Sequence, residues 1–484
     1  MAEYELFVKR IGLVGIVYIV SSLKGLILLP VLTKTLSTEL YGIWVQIGVT
    51  TSLLTFLAAL QLHVAMIRFF AGENDVNKIK SRFYAVFTFV FLFNLLIILI
   101  VFAFSEPLAA TFFGGESATP LVRLLCFIIP STVLDVVCVE FFRAVQQMKK
   151  YSGFLLLQQI LEVSLISYAL LSGYNLLGAI LALISARAFL LFMSFLLIYH
   201  QIGIEKPDFS VLKPYLLFSL PLIPAALSCW VVELSDRYMI VYFLDVASAG
   251  IYSAAYGIGA MVSMFMSPMG ITLLPTMFSL YERNRIGELK VHLGYSLKAY
   301  LMFAIPSLFG LAVLSRSLLL TFTTPAFISA YLVVPFVALG TIFYVCGGTI
   351  AIILQILKRT RILALVGGAA AAINLILNIV LIPIVGILGA AIATLITFLF
   401  MGAAFTTISY RAIPFDINVK FIVKSIAASI PMALVLWKLN PYGAVSIFIA
   451  IGIAGIIYFG VLVLLKGFTR GEYLFLRGFF RPNP

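Results

Sequence analysis

Apolar stretches of bilayer-crossing length alternate with short polar segments along the whole chain. A helix needs about 20 consecutive apolar residues to cross a hydrocarbon core of roughly 30 Å. Fourteen stretches qualify, at residues 10–34, 42–69, 83–104, 119–142, 153–172, 176–199, 214–243, 248–276, 293–314, 329–356, 362–382, 386–408, 421–437 and 443–465. The limits of the eighth and tenth can be drawn differently, because Pro268, Pro275 and Pro335 interrupt them. The pattern predicts an all-α polytopic membrane protein with 14 transmembrane helices.

The basic residues between these stretches test the count. With the N-terminus placed in the cytoplasm, the inner segments hold 22 Lys and Arg, whereas the outer loops hold only Lys34, Arg316 and Lys438. Cytoplasmic loops of membrane proteins carry such an excess, and one miscounted span would scatter these charges over both faces. We therefore expect an even number of spans, a multi-pass protein of the cell membrane, and both termini in the cytoplasm.

Composition supports lipid as the solvent of this chain. Of its 484 residues, 63% are hydrophobic and 11% charged, with a mean hydropathy of +1.15, whereas soluble domains carry about 25% charged residues. The net charge of +13 could suggest nucleic acid, but its placement is that of membrane orientation, so no nucleic-acid partner is expected. The first apolar stretch follows Lys9 and Arg10 and is too long for a signal peptide, so it should be retained as the first span.

The two halves of the chain resemble each other at an offset close to 208 residues. Gly42-Ile43 aligns with Gly250-Ile251, and Lys149-Lys150 aligns with Lys358-Arg359. Six spans per repeat leave both copies in the same orientation, which predicts two pseudo-symmetric six-helix lobes with a substrate path between them. The expected domains are residues 1–205 (spans 1–6), residues 206–410 (spans 7–12), and residues 411–484 with two extra spans and a cytoplasmic tail.

Ionisable residues inside the spans are the candidates for function, since charges are costly in lipid and tend to face an interior cavity. Arg and Lys suit phosphate, so a cationic cavity for an anionic headgroup is predicted from five residues: Lys24, Arg123, Arg187, Lys298 and Arg237. Coupling to an ion or proton is assigned to four acidic residues: Asp135, Glu162, Glu233 and Asp236.

The same charges have purely structural interpretations. Glu162 and Arg187 lie at similar depth on consecutive helices and could neutralise each other, and Glu233 and Arg237 have the favourable i, i+4 spacing for a pair on one helix face. Lys24 has no acidic residue one turn away on its own helix. The sequence alone leaves both interpretations open.

Catalytic and cofactor motifs are missing from the sequence. There is no phosphate-cradling glycine-rich loop with its lysine and no Cys/His cluster with metal-ligand spacing. The four cysteines lie in apolar runs and are expected to pack as small hydrophobes. We therefore expect no enzyme activity, no cofactor and no bound metal.

One segment resembles a known family. It contains Ser219-Leu220-Pro221-Leu222-Ile223-Pro224, then Leu234-Ser235-Asp236-Arg237-Tyr238, and then Ala249-Gly250-Ile251-Tyr252-Ser253-Ala254-Ala255-Tyr256. These motifs, with Glu39-Leu40-Tyr41-Gly42 near the start, resemble the polysaccharide-biosynthesis flippases of the multidrug/oligosaccharidyl-lipid/polysaccharide exporter superfamily.

The resemblance implies a flippase that moves a polyprenyl-diphosphate-linked oligosaccharide from the cytoplasmic to the outer leaflet by alternating access. It also implies an ion gradient as the driving force, with Na⁺ or H⁺ left open, and glycan assembly proteins as potential partners.

A cation-coupled multidrug antiporter of the same superfamily is the nearest alternative. A peptidoglycan-precursor flippase has almost the same chemistry. A membrane-embedded glycosyltransferase or polymerase is the alternative from another class, but such enzymes usually need a sizeable outer loop with acidic residues.

Overall fold

A computed structural model describes residues 20–21, 24–73 and 75–468. The chain is all-helical, with 88% of residues in helices and no strand among the residues described. We number the α-helices in chain order: α1 24–35, α2 Thr38–Ala59, α3 Leu62–Phe70, α4 Val76–Ala103, α5 Ser105–Phe112, α6 Thr119–Arg123, α7 Leu125–Ala144, α8 Met148–Leu171, α9 Asn175–Ile202, α10 Leu212–Ser219, α11 Ile223–Phe243, α12 Val246–Ala260, α13 Ser267–Glu282, α14 Ile286–Phe322, α15 Val333–Ile350, α16 Ile352–Ile356, α17 Thr360–Val385, α18 Ile387–Ala412, α19 Val419–Leu439 and α20 Ala444–Leu464.

Thirteen helical segments within the described residues are long and apolar enough to cross a membrane. They correspond one to one to the second through fourteenth apolar stretches of the sequence, which confirms a polytopic helical membrane protein of about 14 helices. The first predicted span, residues 10–34, lies largely outside the described residues, as do Lys9, Arg10 and most of the predicted C-terminal tail.

One predicted boundary was wrong, and the eighth span, whose limits the prolines left open, is shorter than drawn. The second span, expected to reach residue 69, ends at Ala59, because Leu60 and Gln61 both adopt left-handed backbone conformations (φ 47° and 55°) and separate α2 from α3. The eighth span is not continuous, since α12 ends at Ala260 and a 3₁₀ segment precedes α13. Leu and Gln rarely adopt left-handed conformations, whereas glycine does so readily. The sequence has no glycine at the first break and therefore does not indicate it.

Residues with a left-handed backbone conformation, which end helices, recur in the two halves of the chain at a nearly constant offset. Three pairs of left-handed residues lie 212 or 213 positions apart: Gly72 and Asn284, Gln146 and Lys358, and Gly173 and Gly386. After the second pair, Gln147 N–H donates to the Phe142 carbonyl and Arg359 N–H donates to the Leu354 carbonyl, the six-residue closure of a Schellman motif in both copies. The lobe boundaries drawn from the sequence repeat stay a prediction.

The chain divides into two compact units, each with its own packing. The first combines Met1–Ala254 with Thr360–Thr397, and the second combines Ala255–Arg359 with Phe398–Pro484. In the first unit, α7 is the central helix and packs against α2, α3, α4, α8 and α9, while α11 packs against α17 and α2. In the second unit, α14 packs against α15 and α19, and α19 packs against α20.

Candidate functional site

Four helices of the first unit bring four charged side chains together. Lys24 comes from α1, Asp135 from α7, Glu162 from α8 and Arg187 from α9. The α8 and α9 helices form a hairpin around Gly173, whose φ of +84° suits the tight turn. Glu162 and Arg187 therefore reach a similar depth from the turn, as the sequence predicts. We call Lys24, Asp135, Glu162 and Arg187 the charge cluster.

Glu162 is the shared partner of both cations. Its Oε2 accepts a hydrogen bond from the Lys24 ammonium. Its Oε1 lies 2.8 Å from Arg187 Nε, although that N–H is not aligned as a hydrogen bond. The amide of Gln158 also donates to Glu162 Oε1, at 3.3 Å. The sequence left Lys24 without a partner because Glu162 lies 138 residues away and on another helix.

The cations of this cluster are more exposed to solvent than its anions. The side chains of Glu162 and Asp135 are 2% and 3% exposed, whereas those of Arg187 and Lys24 are 17% and 25% exposed. Formal charges sum to zero, because two cations face two carboxylates. A ligand entering from the accessible side would therefore meet the ammonium and guanidinium groups before the carboxylates.

Asp135 is the least satisfied member of the cluster. Its Oδ2 lies 3.8 Å from an Arg187 Nη atom, a long ion-pair distance. Its Oδ1 is buried and has no hydrogen-bond donor among the residues that the structure describes. Buried carboxylate oxygens are normally hydrogen-bonded, so an unpartnered one at a charged site calls for a functional explanation.

A second group of charges lies on α11, where the family-like motif falls. The Arg237 guanidinium donates to the Asp236 carboxylate (2.6 Å) and to the Glu233 carbonyl, and it lies over the Tyr252 ring at 5.3 Å. The Tyr252 hydroxyl in turn donates to Asp236. The amide of Gln46 on α2 donates to the Arg237 carbonyl at 3.0 Å. We call Gln46, Asp236, Arg237 and Tyr252 the α11 network.

Two glycines, Gly42 on α2 and Gly250 on α12, allow these two helices to pack closely beside this network. A Cβ added to Gly42 would lie 1.9 Å from the Val246 carbonyl oxygen, and one added to Gly250 would lie 2.9 Å from the Gly42 nitrogen. These are the repeat-related Gly-Ile pairs of the sequence, so the equivalent positions of the two repeats contact each other here. Backbone contact and hydrogen bonding thus explain Asp236, Arg237, Gly250 and Tyr252 of the motif sequence.

The remaining predicted cations, Arg123 and Lys298, have other partners. Arg123 forms an ion pair with Glu106 at 3.1 Å, contacts the Ser105 hydroxyl at 3.3 Å, and is 44% exposed. Lys298 belongs to the second unit, where its ammonium lies 4.9 Å from the centroid of the Phe421 ring. Sequence reasoning missed Glu106, Gln46 and Tyr252, because nothing in their local spacing indicates partners on other helices.

Metal-binding residues do not gather at either group. Among the described residues, no three His, Cys, Asp or Glu side chains come close enough together to hold a metal ion. The two carboxylates of the charge cluster already lie beside two cationic side chains, which would repel a metal ion.

Comparisons with known proteins give a family and a fold. A family model described as polysaccharide biosynthesis protein matches residues 7–281. Similar relatives include the probable low-salt glycan biosynthesis flippase Agl15 of Haloferax volcanii, 24% identical over 319 residues. An uncharacterized membrane protein of Methanocaldococcus jannaschii, MJ1068, is 23% identical over 447 residues, covering 85% of each chain. The match to Agl15 covers 64% of this chain and spans only 62% of the Agl15 length.

Solved structures share the fold at low sequence identity. The lipid II flippase MurJ in an inward closed conformation superposes with a TM-score of 0.76 at 16% identity, covering 96% of this chain and 98% of MurJ. An inward-facing multidrug resistance MATE family transporter superposes with a TM-score of 0.64 at 11% identity, covering 83% of this chain and 94% of the transporter.

Proposed function

The chain belongs to the polysaccharide biosynthesis protein family, and from this premise we propose that it is a flippase for a diphosphate-lipid-linked oligosaccharide. It moves this substrate from the cytoplasmic to the outer leaflet of the cell membrane and carries out no covalent chemistry. The name of Agl15, a probable glycan biosynthesis flippase, supports the substrate class. Both termini lie in the cytoplasm, an orientation supported by the 22-to-3 distribution of basic residues.

The charge cluster supports this function most strongly. Its two cations are partly exposed and come from different helices, α1 and α9, while the carboxylate that holds them is buried behind them. A diphosphate offers oxygens to both cations at once, since a guanidinium donates in a fixed fork and an ammonium supplies a point charge. Lys24 and Arg187 therefore hold the diphosphate, and Glu162 is the anion that the substrate displaces.

Glu162 keeps the empty site from carrying a net positive charge. Unpaired buried cations are costly, and a carboxylate at this position offsets that cost until a substrate arrives. The exchange of one anion for another lets the protein return empty through the membrane during alternating access. Arg123, which belongs to the same compact unit as the charge cluster, is a further contact for the substrate along its path, and the role of Lys298 stays a prediction.

The experiment is deletion of the gene followed by analysis of lipid-linked oligosaccharide. We expect intact lipid-linked units to accumulate on the cytoplasmic face and surface glycan to be lost. Complementation with the wild-type gene should restore the glycan, whereas Lys24→Ala and Arg187→Ala should not do so at equal protein level. Arg143→Ala is the matched control, because Arg143 is 48% exposed and pairs with Glu140 at 3.4 Å, outside the charge cluster. Normal surface glycan in the deletion strain would refute the proposal.

A multidrug antiporter is the second candidate, favoured by the fold shared with a MATE family transporter. Its substrates are cationic drugs, for which an accessible acidic site is the expected partner. In the charge cluster the acidic side chains are the buried ones and the basic side chains are accessible. The deletion strain discriminates the two functions, because the antiporter predicts new drug sensitivity together with normal surface glycan.

A further inference from the structure

Charge balance in the charge cluster leads to an inference about coupling, which rests on the proposed function. The empty cluster is neutral, with Lys24 and Arg187 facing Asp135 and Glu162. A diphosphate that links a lipid to a sugar is a diester with two ionised oxygens. Adding it to the cluster leaves two uncompensated negative charges, which are costly in an environment of low dielectric constant. We infer that substrate binding drives the uptake of protons from water by Glu162 and Asp135.

Glu162 is the first group expected to accept a proton. Its two oxygens depend on Lys24 and Arg187, the same side chains that the diphosphate engages. Once the substrate takes these cations, a carboxylate that is 2% exposed keeps only the Gln158 amide as a partner. Burying an unpaired carboxylate is so unfavourable that such groups neutralise instead. Formation of the carboxyl O–H bond with a proton from water removes that charge.

Asp135 is the second acceptor, because little holds its charge even before the substrate binds. Its Oδ1 has no donor among the described residues, and the ion pair of its Oδ2 with Arg187 is 3.8 Å long. When the guanidinium turns toward the diphosphate, this contact is lost as well. With both carboxyls protonated, Lys24 and Arg187 balance the two charges of the diphosphate, and the loaded site is neutral again.

The surroundings of the two carboxyls contain few other charges. The groups that interact electrostatically with Asp135 are Arg187 of α9, Glu162 of α8 and Cys138 of its own helix. Glu162 is held by Lys24 of α1, Arg187 of α9 and Gln158 of α8. Among the described residues, no hydrogen bond or ion pair joins these carboxyls to the following charged or titratable residues of the helices packed on α7: Glu39 of α2, His63 and Arg68 of α3, Lys78, Lys80 and Arg82 of α4, Arg123 of α6 and His200 of α9.

A proton fits this site better than a metal cation does. A metal ion would need several oxygen ligands and would stand beside an ammonium and a guanidinium that contact the same carboxylates. A proton needs only one oxygen and adds no volume. We therefore assign proton coupling to Glu162 and Asp135, and not to Asp236, whose carboxylate is already bound by Arg237 and Tyr252.

The test is calorimetric titration of the purified full-length chain with a synthetic short-chain isoprenyl diphosphate sugar. This probe is a diphosphate diester, which stays ionised near neutral pH. Titration in buffers of different ionisation enthalpy gives the number of protons taken up per bound probe. We expect about two protons, one for each carboxyl, and an affinity that falls about tenfold per pH unit for each proton taken up.

Variants assign the protons to residues. Glu162→Gln and Asp135→Asn should each lower the uptake by about one proton, because an amide cannot be protonated there. Glu140→Gln on α7 is the control and should leave the uptake unchanged, since Glu140 pairs with Arg143 outside the charge cluster.

The possible failures are distinguishable. Binding of the probe by the wild-type protein without proton uptake would overturn the inference and leave the proposed function standing. Undiminished uptake in the double variant Glu162→Gln/Asp135→Asn would also overturn it. A wild-type protein that does not bind the probe would overturn the proposed function itself. If a variant fails to fold, the wild-type titration still decides, because zero and one proton are readily separated.

Discussion

Two groups of buried arginine and carboxylate side chains lie in the same compact unit, and they differ in how fully the protein satisfies them. In the charge cluster, Arg187 is 17% exposed and lies 2.8 Å from Glu162 without an aligned hydrogen bond. In the α11 network, Arg237 is 5% exposed and donates to both a carboxylate and a carbonyl. The first group keeps accessible cations and a carboxylate oxygen, Asp135 Oδ1, that has no donor among the residues described, whereas the second is closed by hydrogen bonds.

The difference separates a site from a structural clamp. A cation that is buried and fully hydrogen-bonded gains nothing from a ligand, because binding would first break its existing bonds. A cation that is partly exposed and loosely held can exchange one anion for another. The α11 network is joined to α2 by the Gln46 amide and lies beside the close backbone approach of Gly42 and Gly250, so we interpret it as fixing these helices in place. This comparison predicts that mutations in the α11 network lower stability and those in the charge cluster lower transport.

The largest loss of stability is expected from Arg237→Ala. The substitution leaves Asp236 buried without its guanidinium partner, and breaking a buried pair costs about 3–5 kcal/mol. The midpoint of thermal unfolding in detergent should fall accordingly. Arg143→Ala, which breaks the more exposed pair with Glu140, should change stability by less than about 1 kcal/mol. Equal stability of the Arg237→Ala variant and the wild type would show that the α11 network is not a clamp.

A smaller but still clear loss is expected from Gly42→Ala. The new methyl group would lie 1.9 Å from the Val246 carbonyl oxygen, and a backbone atom cannot move aside as a flexible side chain can. Overpacking of this kind costs about 1–3 kcal/mol or more. Gly48→Ala on the same helix is the matched control, because nothing lies within 4 Å of its added Cβ. Similar melting of both variants would contradict the close contact at Gly42.

The smallest effect is expected from Tyr238→Phe beside the α11 network. Its hydroxyl forms a 2.6 Å hydrogen bond with the Thr50 hydroxyl, linking α11 to α2. Loss of this bond should cost about 1 kcal/mol, measured again by thermal unfolding. Tyr242→Phe, four residues along the same helix and 64% exposed, should melt like the wild type. An effect of Tyr242→Phe as large as that of Tyr238→Phe would show that the link contributes nothing.

Much of the fold could be predicted from the sequence because bilayer-spanning helices need long apolar runs. Thirteen of the fourteen predicted spans appear as helices, and the Glu162–Arg187 neutralisation was anticipated from depth on consecutive helices. The break between α2 and α3 was missed, because Leu60 and Gln61 carry no turn signal. The neighbouring residues Ala58, Ala59, Leu62 and His63 include no glycine, proline or asparagine either, so no local pattern marks this turn.

Only some of the contacts in the site could be predicted from the sequence. Lys24 was singled out for lacking a partner on its own helix, yet its actual partner is on α8. Depth in the membrane and charge are the only criteria that the sequence offers, and by these criteria Arg237 belongs with the cations of the cavity. The spacing of residues along the chain does not show that Arg237 is almost completely buried in a hydrogen-bonded network. Exposure and hydrogen-bond satisfaction distinguish the two arginines, and both depend on side chains far apart in sequence.

The most direct test of the central claim is translocation of the short-chain isoprenyl diphosphate sugar by the purified protein in liposomes. Lys24→Ala and Arg187→Ala should each lower the initial rate by at least about tenfold, since a hydrogen bond to a charged group contributes about 1.5–3 kcal/mol. Arg143→Ala should translocate the probe at the wild-type rate. Wild-type rates in both the Lys24→Ala and the Arg187→Ala variants would contradict the assignment of the charge cluster as the diphosphate site.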